Sequence, residues 1–268
     1  MSRHGTRRRA LPEMLRERFD PVLVILSPPR CGSTAVARSF WQHPAFRWYV
    51  HEPCDRLYHR GAERGSLAEA VDAALDRRVF GPAGGRGAVI KEMTFQAGGL
   101  LPELLWGATM PVVLTVRDPR LALWSRMRQR AKAGLPPAFP AGEGGWEDLR
   151  SAVTHLRKLG TPYAVVEVTR LRARPEATMR ALCERLDLPF RPGMLSWPAL
   201  DGVPLGQLGG EQAHWYTRAL GSTGFQPPDE RVTGESWAGA PAVMRRALDD
   251  ALAVYQEALD DPRLVDVP

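Results

Sequence analysis

Short apolar runs recur along the chain, each followed by a turn and then by an amphipathic stretch. "VLVILS" (22–27) is continuous and rich in Val and Ile, the pattern of a strand covered on both faces. "FRWYVHEP" (46–53), "AVIKEM" (88–93), "PVVLTVR" (111–117) and "YAVVEV" (163–168) read as four further strands. Between them lie segments of helical period. "GSTAVARSFWQH" ends at His43-Pro44, where the residue before proline leaves the helical region. "SLAEAVDAALDRRVF" (66–80) carries Ser66 and Glu69 at capping-box spacing. "LPELLWG" predicts a short helix. "DPRLALWSRMRQRAKAG" has Pro in its first turn and Gly past its end. "EDLRSAVTHLRKLG", "RPEATMRALCERLDL" and "PAVMRRALDDALAVYQEAL" complete the helical set. Strands alternating with helices predict an α/β fold, a parallel central sheet flanked by helices.

Departures from this alternation set the domain plan. Residues 1–20 form a basic N-terminal tail with at most a helical turn. Residues 21–268 read as one domain. Within it, 189–240 is rich in Pro, Gly and Trp and predicts a cap over the sheet that includes Trp197, Trp215, Tyr216, Phe225 and Trp237. The Pro/Gly stretch 135–146 has a length typical of a lid or a disordered loop.

Bulk properties exclude more than they select. In 268 residues no apolar stretch approaches a membrane span, and the basic N-terminus has no apolar core of a signal peptide. A cytoplasmic protein with reduced Cys31, Cys54 and Cys183 is expected. The net charge is +6, and Lys occurs only at 91, 132 and 158, so the positive charge is almost all Arg. Arginine suits bidentate anion recognition. No basic stripe interleaved with aromatic residues is present, so a small polyanion is preferred to nucleic acid as partner. Oligomeric state is not encoded in any pattern seen here.

The chemistry concentrates after two strands. In "VLVILSPPRCGSTAVARSF" an apolar strand stops at a small-residue turn that opens a helix, the architecture of an anion-binding loop. Backbone N–H groups from Cys31 to Thr34 would face the anion. Gly32 admits close approach, Ser33 and Thr34 add hydroxyls, and Arg30 offers a planar fork. The plain alternative is a strand–helix turn capped by Ser33. In "VVLTVRDPRLALWS", Arg117 ends a strand and Ser125 lies about two turns into the next helix, so a second anion fits between them. Alternatively Arg117 and Asp118 merely cap that helix.

Taken together, "SPPRCGST" and "VRDPRLALWS" resemble the two signature stretches of sulfotransferases that use 3′-phosphoadenosine-5′-phosphosulfate (PAPS). The resemblance covers the first half of the chain best, with "MLSWP", "HWY" and "STGF" echoing bacterial members further on. It implies a P-loop-like fold in which Arg30, Cys31, Gly32, Ser33 and Thr34 hold the 5′-phosphosulfate, and Arg117 and Ser125 the 3′-phosphate. It implies sulfuryl transfer from PAPS to an acceptor, expected to be a hydroxyl, leaving adenosine 3′,5′-bisphosphate, with no metal; the Arg-rich composition and small cytosolic format suggest a bacterial small-molecule tailoring enzyme. A P-loop kinase would carry Lys where Ser33 stands and a strand-end Asp for Mg²⁺. A phosphotransferase with a degenerate loop and a non-catalytic nucleotide binder are the alternatives.

Sulfuryl transfer needs a base at the acceptor oxygen and positive charge at the leaving oxygen. "VHEPC" places His51 and Glu52 at the end of the second strand. By the resemblance Glu52 is the favoured base and His51 the runner-up. Lys91, at the end of the third strand, would neutralise the leaving group. Met93 stands where many relatives carry a His base, and Glu92 is expected to be structural.

Overall fold

In the computed structural model, which describes residues 11–60, 66–76, 85–200, 205–207, 209–227 and 237–267, six strands form one sheet. They are β1 (Val22–Ser27), β2 (Phe46–His51), β3 (Leu75–Asp76), β4 (Gly87–Met93), β5 (Val112–Val116) and β6 (Tyr163–Glu167). The order across the sheet is β3-β2-β4-β1-β5-β6. All pairings are parallel except β2 with β3. This is the α/β, largely parallel sheet that the alternation predicts. The antiparallel edge strand is the exception. The helix expected over 66–80 ends at Ala74, and the chain turns outward into β3; residues 77–84 lie outside the described set. Its start is as expected, with Ser66 and Glu69 closing a capping box.

Helices cover both faces: α1 (Leu11–Arg18), α2 (Ser33–Trp41), α3 (Asp55–Arg60), α4 (Leu67–Ala74), α5 (Thr94–Ala97), α6 (Leu101–Trp106), α7 (Pro119–Lys132), α8 (Trp146–Leu159), α9 (Val168–Ala173), α10 (Pro175–Arg185), α11 (Gly209–Gly221) and α12 (Ala242–Leu259). Side-chain alternation along β1 divides the core in two. Val22, Val24 and Leu26 pack with α1, α4, α6, α8 and α12, whereas Leu23 and Ile25 pack with α2, α10 and α11. Both sheet edges are protected, a need for any exposed row of backbone donors and acceptors. Short β3 lies outside β2. Beside β6, Val165 N–H donates to Arg263 O and accepts Val265 N–H at its own carbonyl, 3.0 and 2.8 Å.

Two expectations change. Residues 11–18, placed with the basic tail, form α1, whose Leu11 and Leu15 are buried in the core. The Arg-rich surroundings hide an apolar i, i+4 pair long enough to dock. The 135–146 stretch is not a loose lid. Phe139 is buried, and Thr94 Oγ1 donates to Gly145 O at 2.7 Å. Gly145 turns the chain into α8 with φ 72°, a left-handed value that glycine adopts without strain.

The docking of α1 is testable. Leu15→Ala should cost about 2–5 kcal/mol in urea unfolding, as for other buried leucines. A free tail would lose nothing, and unchanged stability would return residues 11–18 to that role.

Candidate active site

Four adjacent strands, β2, β4, β1 and β5, deliver their carboxyl ends to one cleft, the place where open α/β sheets bind ligands. After β1 the backbone turns sharply. Arg30 has φ 65° and Gly32 φ 76°, and Gly32 is the N-cap of α2. Ala35 and Val36 N–H both return to Gly32 O, at 3.0 and 3.2 Å. The donors ahead of them, at the positive end of the helix, are the orphan groups that an anion can satisfy. Gly32 has a second reason to be glycine beyond backbone approach. A Cβ there would lie 2.6 Å from Val168 Cγ1, at the start of α9. Cys31 turns away: its side chain is fully buried, Sγ is 3.7 Å from Pro29 O, and burial pushes the thiol up to about 12. Only its backbone is left to serve a ligand.

A cavity of about 370 Å³ opens over this turn and is lined by Arg30, Gly32, Ser33, Thr34, Glu52, Arg117 and Ser125. The two signature stretches, far apart in sequence, therefore meet. Arg30 joins them, with Nε 3.4 Å from Ser125 Oγ and Nη1 donating to Trp215 O at 2.6 Å. Arg117 is buried against the cavity, and among the described residues no carboxylate pairs with its guanidinium. Asp118 is not its partner. That carboxylate caps α7, accepting Arg120 N–H at 2.9 Å and the Arg120 guanidinium.

More cations surround the cavity than the motifs named. Arg126, Arg130, Arg172 and Arg218 also line it. In sequence, "RMRQR" looks like the solvated face of α7, but Arg126 and Arg130 lie against the cavity and the 135–146 loop. There Arg126 pairs with Glu143 at 2.5 Å and lies 4.3 Å from the Phe139 ring centre. Of the cap aromatics, Trp215 and Tyr216 reach the cavity. Trp237 instead packs on Trp124, and Trp197 on Phe225.

The end of β2 divides the candidate catalytic residues sharply. Glu52 lines the cavity with φ 45°, a strained value for a non-glycine residue that marks functional sites. Its Oε1 is ion-paired with Lys91, and its Oε2 accepts Tyr216 Oη–H at 2.7 Å. Burial, the largest single influence, would raise the Glu52 carboxyl, but Lys91, His51 and the Tyr216 hydrogen bond together outweigh it and hold the group down at about 2. Lys91 is fully buried and outside the cavity lining, so it faces the carboxylate rather than solvent. His51 is also buried behind the wall. Its Nδ1 meets Tyr49 Oη at 2.5 Å, its Nε2 lies 3.5 Å from Glu52 Oε1, and burial lowers it to about 3. Glu92 is a scaffold group, as expected. Its oxygens accept Cys54 and Met93 N–H, each at 2.7 Å, and burial raises it to about 8.

Known proteins bear on this arrangement from the other half of the chain. Residues 151–258 match the sequence model of the sulfotransferase domain family. The matched segment, less than half of this chain, is similar to that family of enzymes. Two curated Arabidopsis thaliana proteins are similar over part of their length. Branched-chain-amino-acid aminotransferase-like protein 1 is 39% identical over 93 residues, which is 35% of this chain and 16% of that protein. Branched-chain-amino-acid aminotransferase-like protein 2 is 38% identical over 88 residues, 33% of this chain and 15% of that protein. The match thus touches about a sixth of each relative. Among solved structures, the sulfotransferase domain from the Synechococcus PCC 7002 olefin synthase aligns with a TM-score of 0.49 and 15% identity, covering 91% of this chain and 97% of that one. Mouse sulfotransferase SULT7A1 complexed with PAP aligns with a TM-score of 0.48 and 13% identity, covering 94% and 89%.

The fit between Gly32 and Val168 yields a two-step prediction. Gly32→Ala should lose about 1–3 kcal/mol of stability from the left-handed backbone alone, with the clash added. Adding Val168→Ala should recover the clash but not the backbone cost. Full recovery in the double variant, measured by thermal unfolding, would mean that the φ of Gly32 carries no strain.

Proposed function

We propose that this protein transfers the sulfuryl group of PAPS to an acceptor hydroxyl on a small molecule, releasing adenosine 3′,5′-bisphosphate and a sulfate ester. The observation that carries this reading is an Arg-lined cavity that joins the β1–α2 turn to Arg117 and Ser125. A nucleotide with phosphate at both ends of its ribose needs two anion sites at one spacing. Here the turn residues Gly32, Ser33 and Thr34, with Arg30, would take the 5′-phosphosulfate, while Arg117 and Ser125 take the 3′-phosphate.

Ser33 stands at the loop position where a phosphotransferase would place Lys. The strand-end carboxylate offered as a metal ligand, Asp118, is committed to its helix cap. Both features favour sulfuryl over phosphoryl transfer. The transferring sulfuryl group carries less charge, and arginines can meet it.

At the other end of the cavity Glu52 is the proposed base. It is the member of the 51–52 pair that lines the cavity, and its carboxylate is ionised. His51, behind it, orients the carboxylate rather than meeting the acceptor. Lys91 acts through Glu52 as well, which revises its expected role beside the leaving group. In the transfer, the acceptor oxygen forms its bond to sulfur as its proton moves toward Glu52. The bond from sulfur to the bridging oxygen breaks, and the bisphosphate leaves with the electron pair. Preorganised positive charge around the leaving phosphate lowers the barrier by meeting charge where it develops.

Binding tests the first half of this reading. Arg117→Ala should weaken adenosine 3′,5′-bisphosphate binding by about 2–4 kcal/mol in calorimetry, and Arg117→Lys should restore only part because the fork geometry is lost. Unchanged affinity in a folded Arg117→Ala protein would remove the 3′-phosphate site. Preference for ATP with Mg²⁺ over the bisphosphate would favour a phosphotransferase.

Turnover tests the second half. With PAPS supplied to a panel of alcohols and phenols, mass spectrometry should find a product heavier by one SO₃ group, formed equally well in EDTA. Glu52→Gln should lower the rate by ~10²–10⁴ with nucleotide affinity retained, and His51→Asn should do less. The reverse ranking would hand the base role to His51.

A further inference from the structure

The cavity that Glu52 lines has a second group able to carry protons. His59, on α3, lines it together with Gln96 and Phe95. Its Nε2 lies 3.4 Å from Oδ1 of Asp55, one helical turn earlier. Asp55 is itself buried, and Gln96 Nε2 donates to the same Oδ1 at 2.8 Å. A buried carboxylate, fixed by an amide and directed at an imidazole, sets that imidazole's tautomer and orientation. With Nε2–H toward Asp55, Nδ1 keeps its lone pair. The ring also packs edge-on to Phe95, with centroids 6.5 Å apart. Yet 35% of the His59 side chain remains exposed, so one residue touches both the cavity and bulk water.

Glu52 creates the need for such a group. With Lys91 on one oxygen and Tyr216 on the other, its carboxylate can receive a proton during transfer but cannot hold it. Glu52 is itself almost fully buried and reached only through the cavity, so acceptor and nucleotide bound there close its own route to solvent. We propose that His59, aligned by the Asp55–Gln96 pair, is the proton carrier that takes the acceptor's proton from Glu52 and releases it to solvent. This rests on the sulfuryl-transfer reading above. The balance is simple: Glu52 returns to carboxylate, His59 Nδ1 gains the proton, and the imidazolium then loses it to water or buffer. No oxidant or further reactant is required.

Burial favours a neutral His59 ring at neutral pH. Burial lowers its pKa from the ordinary 6.5, and Arg126 on α7 lowers it too. Glu143 on the 135–146 loop and Glu52 at the end of β2 act in the opposite sense. Asp55 on its own helix faces Nε2. His59 therefore accepts protons above its pKa and is blocked as pH falls through it.

The test is chemical rescue, read as the steady-state, multiple-turnover rate of sulfate release from PAPS with water as the probe acceptor. In dilute non-imidazole buffer, His59→Ala should be slower by about 10², with adenosine 3′,5′-bisphosphate affinity unchanged. Added imidazole should restore the rate in proportion to its concentration, which loss of a merely structural side chain would not allow. The wild-type rate should fall on the acid side of pH 6.5, and His59→Ala should lose that fall. Asp55→Asn removes a negative charge beside the ring, so the acid limb should move to lower pH. A wild-type rate in His59→Ala, or a loss that imidazole cannot restore, would overturn the proposal. Glu52→Gln separates the two readings. If it reacts at the wild-type rate, the base assignment fails on its own account, whereas a slow Glu52→Gln beside a normal His59→Ala refutes only the carrier.

Discussion

The buried ion pair of Glu52 with Lys91 is the contact on which the site's shape depends. Two charges removed from water are costly unless each is paired and hydrogen-bonded. Here the pair satisfies that demand by drawing three elements together: the end of β2, the end of β4 and, through Tyr216, the cap helix α11. The left-handed backbone at Glu52 is tolerated because these contacts over-determine where its carboxylate must lie.

The cap is fixed from a second point by a residue without any chemistry of its own. Arg38, on α2, is almost completely buried, and its guanidinium donates to carbonyls at the C-terminal end of α11, including Leu220 O at 2.9 Å, and to Ser222 O at 3.2 Å. Its other nitrogen reaches Pro198 O at 2.5 Å. A cation at a helix C-terminus satisfies orphan carbonyls and the negative end of the helix dipole. The helix that begins at the anion-binding turn therefore also holds the helix that closes the cavity. Arg30 adds a third tie, from that turn to Trp215 O. The β1–α2 turn and the cap position are mechanically linked, because α2 and its preceding turn hold both.

The family match and the motif resemblance come from different parts of the chain. The resemblance rests on residues 30–34 and 117–125, and the family match on residues 151–258. The structure unites them, since Trp215 and Tyr216 from the matched segment line the same cavity as Arg30 and Arg117. The Arabidopsis relatives are similar over only about a sixth of their own length, so their names are not carried over to this site.

Local sequence determined five of the six strands, most helices and the two turn-and-helix stretches that meet at the cavity, because each depends on neighbours only a few residues away. Apolar runs, capping pairs such as Ser66 with Glu69, and a small-residue turn before α2 act over that range. What tertiary structure decided lies where distant residues meet. Nothing local distinguishes Glu52 from His51; the φ of Glu52 and the positions of Lys91 and Tyr216 put one in the cavity and the other behind it. Cys31 sits within the motif yet turns into the core. Arg126 and Arg130 look solvated until the 135–146 loop packs over them, and His59 gains significance only when Gln96, from after β4, fixes Asp55 beside it. Side-chain direction and long-range electrostatics set these roles, and neither is written in a one-dimensional pattern.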